Sequence, residues 1–292
     1  MIDLHMHTTC SDGIKSPREL VDFLNEKDIK IASITDHNNV DAHVEYESEG
    51  YEKYYDGIMI RGTELQTIYQ DYIIEILVYN YDLKSFKEYV DYTRKCFWDF
   101  HKSAYQELLA KAREMGLSYR ENDRPLGDSY YCNMKFQDAI AACYEENKHI
   151  VSDRVLKDLV YFYRYEFQSP DGMFHIDAKK GFPPLEEVLQ ATAYSKGVTS
   201  LAHIDDYDIK EDKIEFLTEL YRAHKIDALE CFHPVISLEN TEKYKSFAQN
   251  NGILVSAGSD YHGKKELDHR HSIDTPATYA EVSILRKILK DY

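Results

Sequence analysis

A chain of 292 residues with 43% hydrophobic side chains is long enough to bury a large core, either as one α/β barrel or as two average domains. Its formal net charge of −17 excludes a broad electrostatic footprint on nucleic acid, which needs a basic face, though not a short oligonucleotide held by metals. The five cysteines (Cys10, Cys96, Cys132, Cys143, Cys231) form no C-x-x-C pair and read as reduced thiols of a cytoplasmic protein. No signal-peptide core and no apolar run of membrane length is found, so no membrane partner is expected.

The first strand, Ile2 to His5, ends in His5-Met6-His7 and runs into a Ser11-Asp12-Gly13 turn. On a strand, residues two apart point the same way, so two imidazoles on one face can grip one ion, and Asp12 can fold back over the same spot. Ser16-Pro17-Arg18-Glu19 opens a helix with an N-cap serine, a proline at the first position and a capping-box glutamate. Strand two, Ile29 to Thr35, ends in Asp36 and His37. Strand three, Ile58 to Arg61, is followed by Gly62-Thr63-Glu64, and strand four is Tyr72 to Tyr79. Strands alternating with helical segments predict a parallel sheet with crossover helices.

From about Lys84 to Glu166 the pattern is helical, which predicts an insertion over residues 84–184 between strands four and five, with Leu126 to Gly172 as a candidate lid or cap. Alternation then returns. Strand five, Val198 to Ala202, ends in His203. Strand six, Ala228 to Cys231, ends near His233-Pro234. Strand seven, Ile253 to Ser256, ends in Gly258-Ser259-Asp260-Tyr261-His262-Gly263. An amphipathic helix over 280–292 closes the chain. Residues 1–83 and 185–292 thus form one discontinuous domain.

In a parallel α/β barrel the active site lies at the C-terminal strand ends. Here those ends carry His5, His7, Asp36, His37, Glu64, Glu75, His203, Glu230, His233, Asp260 and His262. Histidines and carboxylates without cysteine suit manganese, iron or zinc in a polynuclear hydrolytic site. The set exceeds what one ion uses, which predicts two or three divalent ions.

Asp3-Leu4-His5-Met6-His7-Thr8, Ile34-Thr35-Asp36-His37, Gly62-Thr63-Glu64, Leu201-Ala202-His203 and Gly258 to Gly263 resemble, in order, the motifs of the PHP (polymerase and histidinol phosphatase) metallophosphoesterases. The resemblance covers about Met1 to Asp82 and Leu185 to Tyr292. The helical insertion resembles that of stand-alone PHP phosphoesterases acting on nucleotides. The implied fold is a distorted (β/α)7 TIM-like barrel with up to three metal ions.

By that resemblance His5, His7, Glu64 and Asp260 hold a first ion. Glu64 bridges to a second, completed by the fourth-strand position and His203. Asp12, His37 and His262 hold a third. Two departures stand out. The fourth-strand position is usually histidine, and here it is Glu75, which as a ligand favours a harder ion such as manganese and otherwise is an ordinary strand carboxylate. Ala202-His203 is followed by Ile204-Asp205 where the family usually has proline.

His233 resembles the sixth-strand motif and reads either as a phosphate contact or proton donor, or as a structural histidine at a strand end. Asp36 is expected to orient a ring nitrogen of His37. Lys179, Lys180, Arg154 and Arg164 are candidate phosphate clamps from the insertion. The remaining histidines are expected to have no catalytic role, although His269 and His271 are placed to line the pocket rim.

The reaction the resemblance implies is hydrolysis of a phosphomonoester by metal-activated water, with Asp260 and His233 as the catalytic pair. The leading substrate is a small nucleotide such as a 3′,5′-bisphosphate. The alternatives are a 5′→3′ oligonucleotide exonuclease or phosphodiesterase, a histidinol-phosphate phosphatase, and a metal-binding module without catalysis.

Overall fold

The computed structural model describes residues 1–127, 130–264 and 277–290. His269 and His271 lie outside the described residues. The chain divides into two compact units, Met1–Thr93 with Pro183–Tyr292, and Arg94–Phe182.

The first unit is a mixed α/β barrel of TIM-like type. Its strands are β1 (Ile2–Asp3), β2 (Ile31–Ile34), β3 (Ile58–Tyr69), β4 (Tyr72–Tyr79), β5 (Val198–Leu201), β6 (Ala228–Phe232) and β7 (Leu254–Ala257), paired in sequence order. The ring closes where the Leu4 amide donates to the Ala257 carbonyl at 3.1 Å and Met6 bridges Tyr261 in parallel. Helices α1 (Pro17–Glu26) and α2 (Asp41–Ser48) follow β1 and β2. The Ser16–Glu19 capping box starts α1, and Leu20, Val21 and Leu24 bury its inner face. Strand residues Ile2, Ile60, Ile76, Val78, Leu201, Leu229 and Ala257, with Leu4 just past β1, lie in the main apolar core.

The sheet is not wholly parallel. β4 runs antiparallel to both β3 and β5. β3 continues well past Arg61, and only Gln70 and Asp71 separate it from β4, with Gln70 at φ 52°. A two-residue link joins antiparallel strands, whereas a parallel crossover takes a dozen residues or more. The register pairs Glu64 with Leu77 and Gln66 with Glu75. Glu64 and Glu75 are thereby diagonal neighbours on one face.

Helix α3 (Leu83–Glu114) begins in the first unit and ends in the second. The second unit continues with α4 (Cys132–Ala141), α5 (Tyr144–Asn147), α6 (Asp153–Lys157) and α7 (Leu159–Tyr161), which runs into a π-helical turn over Phe162–Phe167. Its core is built from Leu108, Phe136, Ile140, Val155, Phe162 and Phe174. Ser152 caps α6 and Asp158 caps α7, so the helical run breaks between them.

Back in the barrel, α8 (Leu185–Tyr194), α9 (Lys213–Ala223) and α10 (Leu238–Asn250) precede β5, β6 and β7. The closing helix is shorter than expected. Of residues 280–290 only α11 (Leu285–Ile288) is α-helical. The Ile284 amide donates to the Val255 carbonyl, and Ser283 Oγ accepts from the Val255 amide, so β7 takes up groups that a continuous helix would pair internally, and the segment winds as short turns. Among the described residues no helix is long and apolar enough to cross a membrane.

Candidate metal centre

The strands converge their polar ends on one point. His5 Nε2 lies 3.2 Å from Glu64 Oε2 and 3.4 Å from Asp260 Oδ1. His7 Nε2 lies 3.3 and 3.1 Å from the same two atoms. His37 Nδ1 is 3.0 Å from Glu64 Oε2. The other Glu64 oxygen, Oε1, is 3.0 Å from His203 Nε2, which is itself 3.3 Å from Glu75 Oε2. Asp12 Oδ1 sits 2.9 Å from His262 Nε2. All nine ligand candidates therefore come together: His5, His7, Asp12, His37, Glu64, Glu75, His203, Asp260 and His262.

The donor set fits a group of divalent ions. Metal–nitrogen and metal–oxygen bonds of about 2.0–2.2 Å put neighbouring ligand atoms roughly 3.0–3.5 Å apart, the spacing found here. His5 Nε2, His7 Nε2, His37 Nδ1, His262 Nε2, Asp12 Oδ1 and Glu64 Oε2 are buried and make no hydrogen bond. Six such atoms facing one another are costly unless a cation sits between them. Groups of donors lying within 4.8 Å of one another fall into four subsets: His5, His7, Glu64 and Asp260; His7, Asp12, His37 and His262; His37, Glu64 and Glu75; and His5, Glu230 and His233.

The electrostatics point the same way. Burial opposes charge on His37, but Glu64, Asp12 and Glu75 outweigh it and push its pKa up to about 10. Burial likewise opposes charge on His203, and Glu64 with Glu75 raise it to about 9. Burial favours a neutral Glu64, yet His5, His37 and His203 hold it well below the usual carboxylate range. Without ions, the cluster keeps protons where positive charge is wanted.

Hydrogen bonds on the far ring nitrogens set which atom faces the centre. His5 Nδ1 meets Glu230 Oε1 at 3.1 Å, and His262 Nδ1 meets the Asp260 carbonyl at 2.8 Å, so each leaves its Nε2 lone pair inward. Glu230 also accepts the His203 amide through Oε2 at 2.8 Å. Sequence reasoning placed Glu230 at a strand end without giving it this role. Its signal was an acid flanked by Leu229, Cys231 and Phe232 on a fully buried strand. Gly258 packs so closely that a Cβ there would lie 2.1 Å from His5 Cβ. Asp260 adopts φ 54°, a conformation Asp tolerates better than most residues.

His233 is set the opposite way. Its Nδ1 accepts the Val235 amide at 3.2 Å, which puts the proton of the neutral ring on Nε2. That nitrogen is 3.8 Å from Asp260 Oδ2. Asp36 corrects an expectation. It does not bond the His37 ring but accepts from the Thr8 amide, Thr8 Oγ1 and Ser11 Oγ at 2.6–2.7 Å, fixing the turn that carries Asp12. Asp205 anchors the turn after His203, accepting from Lys213, Asn240 and Tyr244. Lys264, absent from the expected set, pairs with Asp12 Oδ2 at 3.5 Å.

The expected clamps Arg154, Arg164, Lys179 and Lys180 all belong to the second unit. There Arg154 lies over the Tyr161 ring and 3.7 Å from Asp158, Arg164 is exposed on the π-helical turn, and the two lysines sit on a 3-10 turn, Ala178–Gly181. His43, expected to be structural, ties β2 to β3: its Nε2 lies 2.8 Å from the Ile34 carbonyl and 2.9 Å from the Gly62 amide.

The family model for the PHP domain matches residues 3–157. The chain belongs to the PHP-domain family. Among PHP relatives it is 23% identical over 280 residues to a 3′,5′-nucleoside bisphosphate phosphatase of Chromobacterium violaceum, covering 94% of this chain and 92% of that one. It is 22% identical over 264 residues to the 5′-3′ exoribonuclease Rnm of Salmonella typhimurium, covering 89% and 84%. Two solved structures share the fold. One is an amidohydrolase from Chromobacterium violaceum with bound sulfate (TM-score 0.64, 20% identity, 99% and 95% covered). The other, assigned as a metal-dependent phosphoesterase, is from Bifidobacterium adolescentis (TM-score 0.63, 21% identity, 99% and 95% covered).

Proposed function

We propose that this PHP protein is a metal-dependent phosphoesterase that hydrolyses a small phosphorylated metabolite, a nucleotide phosphomonoester such as a 3′,5′-bisphosphate. It is a phosphoric ester hydrolase by family and relatives. The single observation carrying the site assignment is the set of buried, convergent donor atoms without hydrogen bonds. His5, His7, Glu64 and Asp260 would hold one ion, Glu64, Glu75 and His203 a second, and Asp12, His37 and His262 a third. A carboxylate has two oxygens and can serve two cations, and Glu64 presents one oxygen to each side. When bound, divalent ions act as Lewis acids on the phosphoryl group and make water nucleophilic near neutral pH.

The chain's own residues supply the rest. Glu230 orients His5 and the His203 backbone. Hydrolysis breaks a P–O ester bond, and the leaving oxygen needs a proton. His233 presents Nε2–H beside Asp260 and hydrogen-bonds that oxygen as charge develops on it, while water supplies the proton itself. Arg154, Arg164, Lys179 and Lys180 are retained as candidate substrate contacts. The net charge of −17 favours a small phosphate over a polymer. None of the five cysteines is in a disulfide, which supports a cytoplasmic setting.

The test is phosphate release by manganese-loaded protein from nucleotide 3′,5′-bisphosphates, mononucleotides, histidinol phosphate and short 5′-phosphorylated oligonucleotides, beside an Asp260→Ala control. Release that is fastest from a bisphosphate and lost with Asp260 supports the reading. Preference for the oligonucleotide or for histidinol phosphate replaces the substrate. No release from any substrate overturns the activity.

A further inference from the structure

The cluster is sealed on most sides and open on one. The side chains of His5, His7, Glu64, His203, Asp260 and His262 are at most 1% exposed, whereas Asp12, His37 and Glu75 keep 15–21%. Substrate must enter across that edge. The edge carries the carboxylates of Asp12 and Glu75. Ions held by the donors would balance the buried acids, and a further cation at the mouth would steer and hold a phosphate dianion as it passes these two carboxylates.

Lys264 stands on this edge. Its Nζ is 3.5 Å from Asp12 Oδ2, and its side chain is 28% exposed. Its position is built by the chain. His262 accepts the Ile14 amide on its carbonyl at 3.1 Å. Gly263 then turns at φ 72°, so close to Ile14 that a Cβ would lie 2.6 Å from Ile14 Cγ1. The loop bearing Asp12 and the loop bearing His262 are thus clamped together, and Lys264 leaves the clamp directly over Asp12. An ammonium on a flexible stem can move from one oxyanion to another without disturbing the buried donors.

We infer that Lys264 binds the phosphate of the substrate, exchanging the Asp12 carboxylate for a phosphoryl oxygen as the substrate enters. This rests on the phosphoesterase reading and deepens it: the ligand recognised at the mouth is a phosphate dianion. Lys264 is a specificity residue, distinct from the buried donors.

The test compares wild type, Lys264→Ala and Lys264→Arg, all manganese-loaded. Calorimetry measures binding of inorganic phosphate, kinetics give KM and kcat for a nucleotide 3′,5′-bisphosphate, and elemental analysis gives the metal content. Loss of one charged hydrogen bond predicts that Lys264→Ala weakens phosphate binding about 10- to 100-fold and raises KM more than it lowers kcat, with metal content retained. Lys264→Arg recovers most of the loss. Equal phosphate affinity in wild type and Lys264→Ala overturns the inference. So does loss of metal in Lys264→Ala, which makes the lysine a support for Asp12. If the wild type binds phosphate but turns over no substrate, the activity reading fails while the phosphate affinities still decide the role of Lys264.

Discussion

Asp3 on β1 and Ser259 after β7, 256 residues apart, join the two ends of the barrel: the Ser259 amide donates to Asp3 Oδ1 at 3.0 Å and its hydroxyl to Asp3 Oδ2 at 2.5 Å. Asp3 Oδ1 also accepts the His5 amide. One buried carboxylate thereby sets the spacing of His5 and Asp260. Asp3→Asn loses an acceptor for Ser259 and is expected to cost about 1–3 kcal/mol of stability, with reduced metal occupancy. Thermal unfolding and elemental analysis of the variant check this, and unchanged values for both would refute the role.

Glu230 is the second buried support. Glu230→Gln keeps the shape but offers a poor partner to His5 Nδ1. Metal affinity should fall roughly 10- to 100-fold while the fold persists. Metal titration followed by circular dichroism reads the two effects separately, and equal affinity would show that His5 needs no such orientation.

Metal binding should release protons. Without ions, His37 and His203 titrate at about 10 and about 9, against 6.5 for a free imidazole. Both folded-state values are raised, so the metal-free protein gains stability from these protons that is fully present below about pH 6.5. That gain is lost as pH rises through 9 and 10. Ions must displace the same protons, so metal affinity should rise with pH up to that range. Calorimetry in buffers of different ionisation enthalpy counts the protons, and a pH-independent affinity without release would contradict the coupling.

His233 is proposed to hydrogen-bond the leaving oxygen through Nε2–H. His233→Ala should lower kcat about 10- to 100-fold on an alkyl phosphate. A p-nitrophenyl leaving oxygen gathers less charge, so its hydrolysis should fall far less. Equal losses on both substrates would assign His233 to structure or binding instead.

Glu75 is proposed to offer the second ion an anionic oxygen, and its Oε2 lies 3.3 Å from His203 Nε2. Glu75→His should shift preference from manganese toward zinc, because a neutral imidazole suits the softer ion better. Competition between the two metals measures it, and an unmoved preference would place Glu75 outside the ligand set.

The convergence of the candidate site was legible in the sequence because strand-end histidines and carboxylates come in short local patterns. His5-Met6-His7 and Asp260-Tyr261-His262 announce themselves by their spacing. The limits of β4 were readable from its run of Ile, Leu and Val, but its direction was not, because the length of β3 was underestimated. Leu65 to Tyr69 is β-prone and leaves only Gln70-Asp71 before β4, a signal that rules out a crossover. The roles of Asp36 and Glu230 were hidden for another reason. Their partners, Thr8 with Ser11 and His5 with His203, lie 25 to 225 residues away, and only the folded barrel brings them into contact. Lys264 was hidden in the same way, since its partner Asp12 comes from the opposite end of the chain.

The most direct measurement is the number of ions held by manganese-loaded protein after gel filtration, read by elemental analysis in wild type and in Asp260→Ala. Two or three ions per wild-type chain, with fewer in Asp260→Ala, is the predicted result. A wild-type chain that holds none, or a variant that holds as many as wild type, would contradict a metal centre built on these residues.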